Sequence, residues 1–544
     1  MNPPTLSTRA AGVLLHPTSL PGPYGAGDLG PEAYQFADLL AGAGQRWWQM
    51  LPVTPPGPAP EFSPYSSHSA FAGSPWLISP ELLHQQNLLS KADLDAAVRP
   101  VAGRINFPRL QKTRGKLLHA AFANRGRLSR GDHAQFENFI AENAAWLDDY
   151  ALYAAIRQSR GGESWLRWPA DIRLRRAEAT ATAKQHLGSA VEFQQFVQWL
   201  FDRQWTALKK YCNDHGIGLI GDIPIFVALD SAAVWARRDL FFLRPDGRPT
   251  VVSGYPPDIF SPGGQLWGHP HYRWSAHIAE GFAWWLARFE RLFQQFDAVR
   301  VDHFLGFHRV WAVPAGEKNA IRGRWLSVPG DPLFQAAKKR FGDAPIIAED
   351  LGKQTAKAIA LRDKYGFPGM RIIQFAFGED TYHCPHTFPH NCVAYTGTHD
   401  NQTVVGWFDS LKNGACNGER ARALAYVGGT AKESHWNFIR ALYASAAQTV
   451  IVPVQDILGL GAEHRMNIPG VLEGNWGWRM SGPIPRHVIT RLRELSEATR
   501  RAIHSNTANI KQESQADEQK ENHRVVVKVY APRLHGRRFT ASHS

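Results

Sequence analysis

Cysteine is scarce in this chain, with four in 544 residues, too few for a disulfide framework. Two of them, Cys384 and Cys392, stand among His383, His386 and His390 in YHCPHTFPHNC. The prolines of that segment, and the lack of a second cysteine pair elsewhere, favour a loop with surface histidines over a zinc site. Long apolar runs are missing as well, and none approaches the roughly 20 residues of a membrane span. The amino-terminal stretch has only the short run Val13–Leu15, with no secretory core or cleavage pattern. A soluble, cytoplasmic protein without a membrane partner is therefore expected. No repeat or heptad is visible. No helix-turn-helix, zinc-finger or RNP pattern accompanies the formal charge of +13, and the Lys and Arg residues are dispersed. That charge reads as a solvated basic surface, not as a nucleic-acid footprint.

What the chain does have is a series of short apolar runs that end in loops rich in Gly, Pro or acids. They are Gly12–Leu15, Trp47–Leu51, Gly218–Asp222, Ala298–Asp302, Ile346–Glu349, Arg371–Phe375, Val393–Thr396 and Val450–Pro453. Amphipathic stretches intervene, such as Phe282–Phe293, whose apolar residues recur at helical spacing. Alternation of this kind predicts an α/β fold with a parallel sheet, and eight runs predict a closed (β/α)8 TIM barrel. The catalytic barrel is expected over 1–505. Its insertions are expected at about 54–210, as a helical subdomain, and at 223–295, as rim loops over a cleft. Residues 506–544 read as a polar and basic tail without structure.

Three of the runs lead into carboxylates: Asp302 in DAVRVDHF, Glu349 in PIIAED and Asp400 in VAYTGTHDN. Acids at the carboxyl ends of barrel strands stand where such barrels carry their chemistry, and two of them are what glycosidic-bond cleavage requires. Residues two apart on a strand share a face, so Arg300 and Asp302 should point together, the guanidinium keeping the acid ionised. Glu349 and Asp350 are adjacent and must diverge; Glu349, across from Asp302, would have the raised pKa of a general acid. His399 and Asp400 could bond neighbouring sugar hydroxyls. Read one at a time, these segments fit an ion pair or a helix cap equally well.

Ten ordered segments then resemble the 4-α-glucanotransferases, also called amylomaltases or disproportionating enzymes, relatives of the α-amylases. They include LLHPTSLPGPYGAGDLG, SPYSSHSAFAGSPWLI, GLIGDIPIFVALDSAAVW, GQLWGHPHYRW, VRVDHFLG, IIAEDLG, YTGTHDNQT and RMNIPG…GNWGWR. The resemblance implies a barrel with helical inserts, no separate C-terminal β-domain and no required metal or organic cofactor. It implies Asp302 as nucleophile, Glu349 as general acid/base and Asp400 as transition-state stabiliser. Arg300, His399 and Asp222 would flank the scissile sugar, Tyr65 would stack on a glucose ring, and Gln265 and Trp267 would belong to the acceptor loop. The implied partners are a malto-oligosaccharide or α-glucan donor and acceptor; the rival activity is an α-glucan hydrolase of related fold. Tyr255, Trp267 and Trp274 are expected to cover the cleft. The chain departs from the family pattern at His269 and His271, in place of Asn and an apolar residue. It departs again at PPGPAPEFSPY, in place of a GYGDSPY-like form.

Overall fold

The computed structural model describes residues 3–502 apart from 58–61, 100–102, 258–260, 353, 379–380 and 412–417. The tail at 506–544 lies outside the described residues. Eight parallel strands form a closed barrel: β1 (Ala10–Leu14), β2 (Trp47–Gln49), β3 (Gly218–Pro224), β6 (Ala298–Asp302), β9 (Ile346–Ala348), β10 (Gly369–Ile372), β11 (Cys392–Tyr395) and β12 (Thr449–Pro453). Each is buried along almost its whole length. Helices cover the outside and side chains fill the inside, so both faces favour the apolar runs seen in the sequence. The strand order β1-β12-β11-β10-β9-β6-β3-β2 returns to β1. Every one of the eight predicted runs falls on a barrel strand. The sixth begins and ends earlier than expected, because Ile373–Phe375 coils into a 3-10 turn.

At the seam between β1 and β12 the fully buried Arg501 donates to the carbonyls of Ala10, Tyr443, Ser445, Ala447 and Gln448. Arg9 adds bonds to three of the same carbonyls, those of Tyr443, Ser445 and Ala447. The two guanidiniums thus share acceptors at the carboxyl end of the helix Ser434–Ala444 and just before β12.

Between β2 and β3 the chain forms long helices, chiefly Phe107–Ala123, Arg130–Ser159 and Gly188–Asp214. Ser129 caps the second through the Asp132 amide. Phe136 packs edge-on to Phe196 and tilted to Trp199 across the helix pair. The segment expected as rim loops holds more regular structure than predicted. Strands β4 (Val251–Tyr255) and β5 (Gln265–Pro270) join β7 (Arg309–Pro314) and β8 (Arg324–Ser327) in an antiparallel sheet ordered β5-β4-β7-β8. Half of that sheet comes from beyond β6, so the segment from 223 to 295 could not disclose its own partners. The helix Ala283–Gln295 then leads into β6.

Candidate active site

Register decides which acids meet. Arg300 of β6 pairs with Asp222 of β3, and Val301 pairs with Ala348 of β9, so Asp302 and Glu349 are the next residues on neighbouring strands. Arg300, buried in the barrel, donates through Nη1 to both Asp222 oxygens (2.9 and 2.7 Å) and through Nη2 to Asp302 Oδ1 (3.0 Å). Asp222 and Arg300 are only 3% and 2% exposed, and neither lines the cleft; they lie beneath its floor. Tyr65 donates to Asp222 Oδ2 at 2.7 Å and stacks on His399 with ring centroids 5.1 Å apart. The Asp302 side chain keeps 33% of its surface open.

Glu349 is held differently. Its two oxygens accept the backbone N–H groups of His303 and Leu351, each at 2.8 Å. His303 supplies its amide from a left-handed backbone, with φ of 55°. Burial, then the charge of Asp302, pushes the Glu349 carboxyl up to about 7, against the opposing pull of Arg300 and the two amides. Asp350 turns away, as adjacent strand-end residues must, and bonds Arg362 and the Met370 amide. Asp222 is likewise raised, to about 6, by burial that outweighs Arg300.

Asp400 follows β11 on a turn where Asn401 Oδ1 accepts from the Thr398 amide at 2.9 Å. Burial would raise this acid, but His399 Nε2 at 3.2 Å and Asn467 Nδ2 at 2.6 Å hold it well below the ordinary carboxylate range. Arg465 donates to its backbone carbonyl.

Tyr65, Gln265, Trp267, Asp302, Glu349, His399 and Asp400 line one cleft of about 690 Å³. Trp267 donates to Gln265 Oε1 at 3.2 Å and meets His303 edge-on at 4.9 Å. Of the two unusual histidines, His269 lines the cleft, whereas His271 is buried behind it against Phe226. Trp274 does not cover the cleft: its ring packs with Tyr272, His277 and Trp285. Sequence reasoning gave no role to His303, Asn467 or Trp476. All three line the cleft, and Trp476 takes a left-handed backbone (φ 63°) beside Tyr65 and His399. The signal for two of them was the segment RMNIPG…GNWGWR. Among the described residues no group of three His, Cys, Asp or Glu side chains is arranged to hold a metal ion, and no helix is long and apolar enough to cross a membrane.

Comparison with known proteins agrees with the fold and points to one family. A family profile described as 4-alpha-glucanotransferase matches residues 15–485. A 4-alpha-glucanotransferase of Thermus thermophilus is 45% identical over 91% of this chain and 99% of its own length. The chloroplastic/amyloplastic 4-alpha-glucanotransferase of Solanum tuberosum is 43% identical, covering 87% of this chain and 82% of its own. Among solved structures, an amylomaltase from Streptococcus agalactiae in complex with acarbose superposes with a TM-score of 0.86 at 36% identity, over 91% of this chain and 100% of that one.

Proposed function

From the premise that this chain belongs to the 4-alpha-glucanotransferase family, and is an enzyme that acts on α-1,4-glucans, we propose a retaining double displacement between malto-oligosaccharides. The acarbose bound by the S. agalactiae neighbour supports a malto-oligosaccharide in the cleft. The observation that carries the mechanism is the pair Asp302 and Glu349, ending adjacent parallel strands and opening on one cleft. Neighbouring strands lie about 4.8 Å apart, and retention needs carboxyls about 5–5.5 Å apart.

Asp302 attacks the anomeric carbon and forms a glycosyl ester. Arg300, at 3.0 Å from Oδ1, fixes the attacking side chain through an ion pair. Glu349 carries its proton to the departing glycosidic oxygen, which leaves as the 4-hydroxyl of the released chain. As a carboxylate it then takes the proton of an incoming 4-hydroxyl, which attacks the ester and restores the α-bond. Asp400, His399 and Asn467 bond hydroxyls of the sugar at the reacting centre. Asp222 and Arg300 act from below, by setting Tyr65 and Asp302 in place. Trp267 and Trp476 offer ring faces to the glucan, and the closer they fit the acceptor, the less water competes.

Incubating the pure protein with maltotriose tests the reading. Glucose together with a ladder of longer oligomers is the expected product, and shortening alone would replace transfer with hydrolysis. Asp302→Ala and Glu349→Ala should each lower turnover by roughly 10³-fold or more with unchanged thermal melting. Retained turnover in either removes that residue's role.

A further inference from the structure

The loop from Thr396 to Val404 carries His399 and Asp400 from the end of β11 to the helix Val404–Ser410. Bonds within the loop give it a shape. Asn401 Oδ1 accepts from the amide and the hydroxyl of Thr398, each at 2.9 Å, and Thr398 Oγ1 accepts from the Asp400 amide at 3.2 Å. Asn467 and Arg465 bond its middle. Its two ends are held by buried side chains from elsewhere. Asp456, in the short helix Val454–Ile457 after β12, accepts from the Thr396 hydroxyl (2.5 Å) through one oxygen and from the Val404 amide (2.7 Å) through the other. Gln374, in the turn after β10, donates through Nε2 to the carbonyls of Thr396 and Gln402, both at 2.9 Å.

In the barrel β11 stands between β12 and β10, so the loop is tied at both ends to both neighbours of its own strand. The two ties use opposite chemistry. Asp456 supplies acceptors to a hydroxyl and to the first amide of a helix, which has no partner inside that helix. Gln374 supplies N–H donors to two carbonyls. Burial pushes the Asp456 carboxyl up to about 6 against the pull of Thr396 and the Val404 amide, and no cation among the described residues pairs with it. Burying an acid in this way is costly, and a tie that needs two acceptors gives it a purpose. Gly397 is a second observation. Its backbone is not left-handed, but a Cβ there would stand 2.7 Å from Gln374 Nε2, so the glycine is what lets Gln374 come close. A cavity of about 20 Å³ beside the loop, lined by His16, His399, Gln402 and Asp456 among others, leaves it room to shift if the ties are cut.

We infer that Asp456 and Gln374 are positioning residues for the transfer reaction, which together set His399 and Asp400 against the sugar at the reacting centre. The inference rests on the roles given to His399 and Asp400 above. Neither Asp456 nor Gln374 lines the cleft, so both act through the loop. Bonds to the sugar hydroxyls strengthen as the ring distorts, so a displaced loop loses more in the transition state than in the ground state. A misplacement of about 1 Å can cost about 100-fold in rate.

Kinetics of maltotriose disproportionation test this in variants whose folding is checked by thermal melts. In Asp456→Leu and Gln374→Met, kcat should fall roughly 10- to 100-fold while KM stays within about twofold. Asp456→Asn keeps an acceptor for Val404 and a polar partner for the Thr396 hydroxyl, and should return kcat to within about threefold of the parent. Gln374→Glu fills the same space without the pair of donors, and should be no better than Gln374→Met. Gly397→Ala keeps both tying side chains but crowds Nε2, and should lower kcat as well. Parent-like kcat in folded Asp456→Leu or Gln374→Met overturns the inference. So does full activity in Gln374→Glu, or no recovery in Asp456→Asn, since either would mean packing alone. If Asp456→Leu does not fold, Gln374→Met and Gly397→Ala decide by the same criterion. A parent that leaves maltotriose unchanged, or full turnover in Asp400→Ala, would instead overturn the reading on which the inference rests.

Discussion

Glu349 and Asp400 are both buried acids, yet their surroundings drive them apart. Burial and then the charge of Asp302 lift Glu349 to about 7 against the pull of Arg300 and two amides; at Asp400, His399 and Asn467 outweigh burial, and the acid falls. A general acid must hold its proton when the substrate binds. Glu349 holds it below about 7 and loses it above, so kcat/KM should fall about tenfold per pH unit on the alkaline side. A pH–rate profile of maltotriose disproportionation reads this limb, and in Glu349→Ala the limb should disappear with the activity. Asn467 lends Asp400 its 2.6 Å donor. Hydrogen bonds to a charged group are worth about 1.5–3 kcal/mol, so Asn467→Ala should lower kcat by roughly 10- to 100-fold with little change in melting. Asn467→Asp, which sets a second charge against Asp400, should do worse. The raised carboxyl of Glu349 was expected from the chain; the dependence on Asn467 was not, since it lies 67 residues from its partner.

At the scale of elements, the barrel strands were legible because each is an apolar run buried on two sides. The rim sheet was not. Its strand β5 is half-exposed, and β4 finds its partner β7 only across the intervening β6. The divergence of Glu349 from Asp350 follows from strand alternation alone and needs no tertiary information. The seam between β1 and β12 is a different matter, because sequence pattern says nothing of what closes a barrel. Backbone pairing of β1 with β12 does so, and Arg501 braces the start of the seam with bonds to five carbonyls. Arg501→Met removes five buried bonds but leaves Arg9 as donor to Tyr443, Ser445 and Ala447, and should cost about 2 kcal/mol of stability. Urea unfolding measures the loss, and kcat of the folded enzyme should be unchanged, since Arg501 sits at the strand ends remote from the acids.

For the molecule as a whole, residues that line the cleft run from Ser63 to Trp476, and the seam is held by Arg501. A chain cut after residue 505 should therefore keep both its melting temperature and its maltotriose product ladder. Loss of either would show that residues 506–544 belong to the catalytic unit.

By itself the sequence determined the barrel, the acids at its strand ends and the family, because these depend on local runs and on the order of short motifs. The tertiary structure decided which of those acids share a field. It placed Asp222 and Arg300 beneath the floor and Asp302 and Glu349 above it, brought Asn467 and Trp476 to the site, and packed Trp274, half-buried, against Tyr272 and Trp285. Charge interactions and packing act through space, and separation along the chain carries no measure of that distance.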